Sequence, residues 1–274
     1  MTLDLKSATP LVLVGAGKMG GAMLAGWLDR GLPAAGVVVV EPTPSPDLVA
    51  LAEARGIRLA HAAPAGLVAR VMVVAVKPQV LDAVLPPLAS LAGPETVVVS
   101  VVAGKTIAAF ARGLGATRIV RTIPNTPSQV GRGITAAVAN AAVPADDRTL
   151  VSALLATLGR LEWVDDEALI DVATAVSGSG PAYVFHMVEA LAAAGAAAGL
   201  EPDLAARLAR ATVEGAGELL WRSPETPETL RKNVTSPGGT TAAALTVLMS
   251  DGGLTDLMTE AVAAAAKRSR ELAG

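Results

Sequence analysis

The sequence predicts an α/β fold, an N-terminal Rossmann-type doubly wound sheet followed by an all-α domain. Three observations predict it. A short apolar run, Leu11–Val14, passes directly into Gly15-Ala16-Gly17-Lys18-Met19-Gly20. Further apolar runs recur at helix-length intervals as far as Val138, the rhythm of a parallel sheet. Beyond Asp165 such runs cease and Ala-rich helical stretches take over. The boundary is placed at 165, giving domains 1–165 and 166–274.

In order, Leu11–Val14 is uninterrupted Leu and Val, which marks a strand buried on both faces. Gly15 permits a tight turn, Gly17 a close backbone approach to a pyrophosphate, and Gly20 close packing of the next helix, read as Gly21–Leu28. Val37–Val40 is the second strand. Glu41 ends it, roughly 20 residues past Gly20, where the dinucleotide fingerprint places its ribose-binding acid. The cofactor positions on the loop are Gly15, Ala16, Gly17, Lys18, Met19 and Gly20. An acid at Glu41 favours NAD and repels the added phosphate of NADP. Thr43 and Ser45 offer hydroxyls to that phosphate, so the preference stays open.

Helices are expected at Asp47–Arg55, Gln79–Leu91 and Lys105–Gly113, and strands at Val71–Val76, Thr96–Val102, Ile119–Ile123 and Ile134–Val138. Ligands bind beyond the carboxyl ends of parallel strands. Three such ends carry polar residues or glycine: Ala75-Val76-Lys77-Pro78, Val101–Gly104 and Pro124–Pro127.

The second half reads as helices Glu167–Val176, Ala182–Gly199, Pro202–Arg222, Glu225–Val234, Gly238–Ser250 and Thr255–Leu272. Ser177-Gly178-Ser179-Gly180-Pro181 allows a kink or a close approach. So apolar a helical half is under-buried in a monomer, and pairing with a second subunit is the expected remedy. Basic Lys267, Arg268 and Arg270 suit the last turns of the final helix.

Ser236-Pro237-Gly238-Gly239-Thr240-Thr241 is the most informative stretch. It reads as a helix start with Ser236 as N-cap and Pro237 in the first turn. Two glycines leave that turn bare of side chains. Its backbone N–H groups and the helix dipole then favour an anion such as a carboxylate, with Thr240 and Thr241 adding hydroxyls.

Composition narrows the chemistry. Of 274 residues 52% are hydrophobic but only 2% aromatic, so Ala, Val and Leu build the interior. A net charge of −3 argues against a nucleic-acid or anionic-membrane surface. The lack of cysteine excludes disulfides and thiol catalysis and suits a reducing cytoplasm. Asp4 and Lys6 interrupt the start of the chain, which is not read as a secretory leader, and no apolar stretch reaches spanning length. No metal-ligand spacing is seen. His61 and His186 have no acid partner in view, and His186 reads as a packed or interface residue. With no strong acid or base in evidence, the chain suits hydride transfer to an acceptor already electrophilic, such as a protonated imine, which needs positioning and an anchor for its carboxylate.

These residues resemble the pyrroline-5-carboxylate reductase family. The resemblance spans nearly the whole chain and rests on Gly15–Gly20, Ala75–Pro78, Ala103-Gly104, Pro124–Pro127, Ser177–Tyr183 and above all Ser236–Thr241. It implies an N-terminal Rossmann domain, a helical dimerisation domain, dimers that assemble into decamers, and reduction of L-1-pyrroline-5-carboxylate to L-proline, with NADPH as donor and NADH admissible. It further implies that Ala75, Val76, Lys77, Pro78, Val101 and Ala103 line the nicotinamide side, with Asn233 and Val234 nearby. Ser236, Gly238, Gly239, Thr240 and Thr241 bind substrate, with Ser236 and Thr241 in the catalytic roles and Thr241 as proton donor. Departures are Ile123, where Met is common, Val102 in place of a small Ala, and Glu41. A 3-hydroxyacid dehydrogenase of similar layout is disfavoured because its catalytic Lys has no evident counterpart: only Lys232 and Lys267 follow residue 165. The intact Ser236–Thr241 stretch disfavours a cofactor sensor without turnover.

Overall fold

The computed structural model describes residues 5–273; Asp4, one of the two charges read against a leader, lies outside them, as does Gly274. The chain divides into two compact units, Met1–Ser179 with Ala265–Gly274, and Gly180–Ala264.

The first unit is built on a sheet of β1 (Leu11–Val14), β2 (Val37–Val40), β3 (Arg58–Ala60), β4 (Ala69–Val74), β5 (Ala92–Ser100), β6 (Arg118–Ile123), β7 (Gly133–Ala139) and β8 (Gly159–Trp163). Their order is β3-β2-β1-β4-β5-β6-β7-β8. Neighbours are parallel except β6 and β7. Chain order therefore reverses between β1 and β4, the position at which doubly wound sheets open a ligand crevice. Alternate residues of β1 and β2 feed opposite cores: Leu11, Leu13, Val37 and Val39 pack on one face, Val12, Val14, Val38 and Val40 on the other. This two-sided burial is why these strands carry no polar residue.

Helices α1 (Lys18–Asp29), α2 (Pro46–Arg55), α3 (Leu81–Leu88), α4 (Ile107–Leu114), α5 (Ala145–Leu155) and α6 (Leu169–Ala173) cover the faces. Their ends follow local chemistry. The Ser45 hydroxyl accepts from Leu48 N–H at 3.3 Å to start α2, and Thr106 does the same for Ala109 in α4. Gly56 and Gly115 end these two helices in the left-handed conformation. Trp27 is fully buried and donates its indole N–H to the Leu154 carbonyl at 2.9 Å.

The structure differs from the sequence expectation in places. β4 stops at Val74 rather than Val76, because Ala75–Lys77 leave the ladder for the end of the sheet. The expected helix 79–91 breaks into α3 and short 3-10 turns on either side. β3, α5 and β8 were not anticipated. A π-helical turn, Thr174–Gly178, follows α6 and runs into the start of the Ser177–Pro181 segment read as allowing a kink.

The second unit contains α7 (Gly180–Ala197), α8 (Pro202–Arg222), α9 (Pro227–Asn233), α10 (Thr240–Leu248) and most of α11 (Leu254–Ala273). The Glu201 carboxylate accepts from Asp203 and Leu204 N–H at 3.0 and 2.8 Å to start α8. No residue of α7 is buried, although its sequence is mostly apolar. Among the described residues no helix is long and apolar enough to cross a membrane.

Candidate active site

Glycine chemistry shapes the first half of the site. Gly15 has φ +84°, a conformation that Cβ-bearing residues rarely adopt, and a Cβ there would meet the Ala75 carbonyl oxygen at 2.9 Å. A Cβ on Gly20 would stand 2.2 Å from the Gly15 carbonyl oxygen, so α1 reaches the turn only because Gly20 has none. Around Gly17 the space is open, with nothing within 4 Å of an added Cβ. No side chain caps the start of α1, which leaves its first N–H groups to a ligand.

Beside this turn lies a cleft of about 580 Å³, within the usual range for small-molecule sites. Gly15, Gly17, Thr43, Ala75, Val76 and Lys77 line it, so the structure brings six of the expected cofactor positions together. Ala16, Lys18, Met19 and Gly20 form the adjoining turn and the start of α1. Pro78 begins the short turn before α3. Val101 and Ala103 lie beyond the end of β5 and are not among the lining residues. The open cradle at Gly17, the bare helix start and the cleft all fit a dinucleotide.

Glu41 faces the cleft with its carboxylate fixed: Ala16 N–H donates to Oε2 at 3.1 Å and Thr43 N–H to Oε1 at 3.2 Å. The sequence reading missed the opposite wall. Val80, Ala83, Val84 and Pro87 line the cleft at the spacing of one helical face, a signal present in the sequence. His61 joins them, its Nδ1 3.1 Å from the Pro42 carbonyl oxygen.

The Ser236–Thr241 stretch corrects one expectation. Ser236 is not the N-cap, and Pro237 is not in the first helical turn. Gly239 caps α10, which begins at Thr240. Instead Gly239 N–H donates to the Ser236 carbonyl at 3.0 Å, closing a four-residue turn with Pro237 second and Gly238, at φ +69°, third. Pro followed by a positive-φ glycine is the type II turn pattern, and it prevails over the capping pattern because Gly238 takes the left-handed conformation. No side chain caps α10. A Cβ on Gly239 would fall 2.3 Å from Ser236 Oγ, so this glycine keeps the hydroxyl against the helix mouth. Thr240 is exposed and Thr241 half-buried. Just before the turn, Asn233 ends α9 with its amide donating to Glu225 Oε2 at 3.0 Å, and Val234 is exposed.

His186 has an acid partner that the sequence did not bring into view. It is exposed on this chain and its Nδ1 lies 3.0 Å from Glu189 Oε2, since three-residue spacing puts both on one helix face. Asn125 is buried and ties two elements, its amide donating to the Ser177 carbonyl at 3.1 Å and its oxygen accepting from Ile134 N–H at 3.0 Å. Among the described residues no group of three or more His, Cys, Asp or Glu gathers as metal ligands would.

A glycine-turn cleft at the switch point of a doubly wound sheet, followed by a helical unit, defines a nicotinamide-dependent oxidoreductase. Comparison with known proteins agrees. Residues 10–104 match the family described as NADP oxidoreductase, coenzyme F420-dependent, and residues 167–272 match pyrroline-5-carboxylate reductase dimerisation. Pyrroline-5-carboxylate reductase of Pseudomonas aeruginosa is 38% identical over 268 residues, 97% of this chain and 98% of that protein. The structure of a pyrroline-5-carboxylate reductase from Coxiella burnetii superposes with TM-score 0.89 at 34% identity, covering 97% of this chain and 99% of that one. A Plasmodium falciparum pyrroline carboxylate reductase with NADP bound gives TM-score 0.78 at 26% identity, with 98% and 99% coverage. The chain belongs to the pyrroline-5-carboxylate reductase family.

Proposed function

We propose that the Ser236–Thr241 turn grips the carboxylate of L-1-pyrroline-5-carboxylate while the cleft beside Gly15–Gly20 holds the reduced dinucleotide. The reaction is reduction of the ring imine to L-proline, the last step of proline biosynthesis. The observation that carries this reading is the uncapped start of α10, held open by Gly238 and Gly239. Open N–H groups at a helix start suit a carboxylate.

Reduction of the C=N bond places a hydride on carbon and a proton on nitrogen. Bound in the cleft, NADPH would supply the hydride, as would NADH, which carries the same ring. The matched family description names NADP and one relative's structure holds NADP, which makes NADPH the default donor for such a chain, and Glu41 is the residue that departs from that default. Gly15, Ala16, Gly17, Lys18, Met19 and Gly20 form the turn that holds the pyrophosphate, with the N–H groups at the start of α1 facing it while those of Gly15 and Ala16 are engaged by Val40 and Glu41, and Thr43 stands at the ribose end. Ala75, Val76, Lys77, Pro78, Val101 and Ala103 wall the nicotinamide side, and Asn233 and Val234 come to it from this chain or from a partner subunit. Ser236, Gly238, Gly239 and Thr240 orient the carboxylate, and the Thr241 hydroxyl hydrogen-bonds the ring nitrogen. A threonine is no strong acid at neutral pH, so its work is placement of the imine and of the proton already on it.

Residues 1–165 serve the dinucleotide. Residues 166–274 pair subunits and present the turn, with decamers forming from dimers and the cytoplasm as the place of action. Steady-state kinetics of Thr241→Ala test the site: kcat should fall about tenfold or more, in the range of a lost transition-state hydrogen bond. Wild-type kinetics in that variant remove Thr241 from the mechanism.

A further inference from the structure

We infer that Glu41 is a specificity-determining residue that turns this chain toward NADH and against NADPH. The inference rests on the dinucleotide reading of the cleft and deepens it. Glu41 follows the carboxyl end of β2, where an acid meets the adenosine ribose. Two hydrogen bonds hold its carboxylate in place. One carboxylate oxygen accepts from Ala16 N–H in the glycine turn and the other from Thr43 N–H. Swinging the carboxylate aside would strand both donors. An ionised carboxylate has about four acceptor positions. Two are taken, and the remaining two match the vicinal 2′- and 3′-hydroxyls of an unmodified ribose.

A 2′-phosphate would meet that fixed negative charge instead. The ionisable side chains lining the cleft are Glu41, His61 and Lys77. Lys77 follows β4, which is separated from β2 by β1, so it stands roughly 10 Å away along the sheet. His61 holds its Nδ1 against the Pro42 carbonyl oxygen, which makes that nitrogen a donor already engaged. Among the described residues no arginine lines the cleft to form the two-pronged phosphate pair, and Thr43 offers it a hydroxyl but no positive charge to offset Glu41.

Titration calorimetry of the full chain with NADH, NADPH, ADP and adenosine 2′,5′-bisphosphate tests this, alongside kcat/KM for each donor with L-1-pyrroline-5-carboxylate. Wild type should hold NADH and ADP about tenfold or more tightly than their 2′-phosphorylated counterparts, and Glu41→Gln should lower that ratio about tenfold. A wild-type chain that holds NADPH more tightly overturns the inference without any variant. A Glu41→Gln protein that folds and weakens all four ligands equally also overturns it, since Glu41 then only braces the turn. Absence of turnover with either donor would refute the proposed reaction, while the binding ratio still decides the role of Glu41.

Discussion

Gly15, Gly17 and Gly20 are required for three separate reasons. Gly15 is held by its positive φ, Gly20 by the carbonyl that its missing Cβ would strike, and Gly17 by nothing in the chain. The free space at Gly17 is what a bound pyrophosphate would fill. Gly20→Ala should therefore destabilise the protein by roughly 1–3 kcal/mol, the usual cost of forcing a methyl into a packed site. Gly17→Ala should leave stability near wild type and weaken dinucleotide binding. Urea unfolding and a dinucleotide titration on both variants check the pair. A wild-type unfolding midpoint for Gly20→Ala would contradict the steric reading. The same division holds at the Ser236–Thr241 turn, where Gly238 answers to backbone conformation and Gly239 to the Ser236 hydroxyl.

Four elements of the first unit meet at Arg121 on β6, whose side chain is 3% exposed. It pairs with Glu167 at 3.1 Å and with Asp171 of α6 at 3.0 Å. Glu167 also accepts from Ile107 N–H at 2.8 Å, serving the start of α4, and Ser269 of α11 donates to Asp171 at 2.8 Å. Arg121→Met should destabilise by roughly 3–5 kcal/mol, because it leaves Asp171 charged and buried without its cation. Adding Asp171→Asn should recover part of that loss, and thermal melts of the single and double variants measure it. A double variant no more stable than the single one would show that the pair is not coupled.

The sequence disclosed none of this network, because its members lie far apart in the chain. It disclosed β1 and β2 to the residue, since unbroken Leu and Val is the signature of two-sided burial. β3 and β8 escaped because edge strands are short and half-exposed, with no apolar run to announce them. α5 escaped behind a polar first turn, although Leu150, Val151, Leu154 and Leu155 form a buried stripe. At the candidate site the glycine turn was legible through its fixed spacing. The wall formed by Val80, Ala83, Val84 and Pro87 was not, because an apolar helix face reads alike whether it meets a core or an empty cleft. Ser236 was misread because capping and turn patterns share the same residues.

The helical unit by itself leaves much apolar surface uncovered. Phe185 is 64% exposed and Val247 70%, with Val184, Met187, Leu208, Leu219 and Leu257 also exposed. Exposure on this scale marks an interface, and residues 167–272 match a dimerisation family. Light scattering should return a dimer or larger assembly, and Phe185→Arg should shift it toward monomer; a monomeric wild type at micromolar concentration would contradict this.

The end of α11 belongs to the first unit. Ser269 bonds Asp171, and the Leu272 Cβ lies 3.0 Å from where a Cβ on Gly104 would stand. The sheet-bearing half is thus completed by residues that lie far along the chain from its strands. An emerging polypeptide can form its strands early, yet Asp171 waits for a serine 98 positions further on, so one portion of the molecule reaches its mature form only once a much later one has been made.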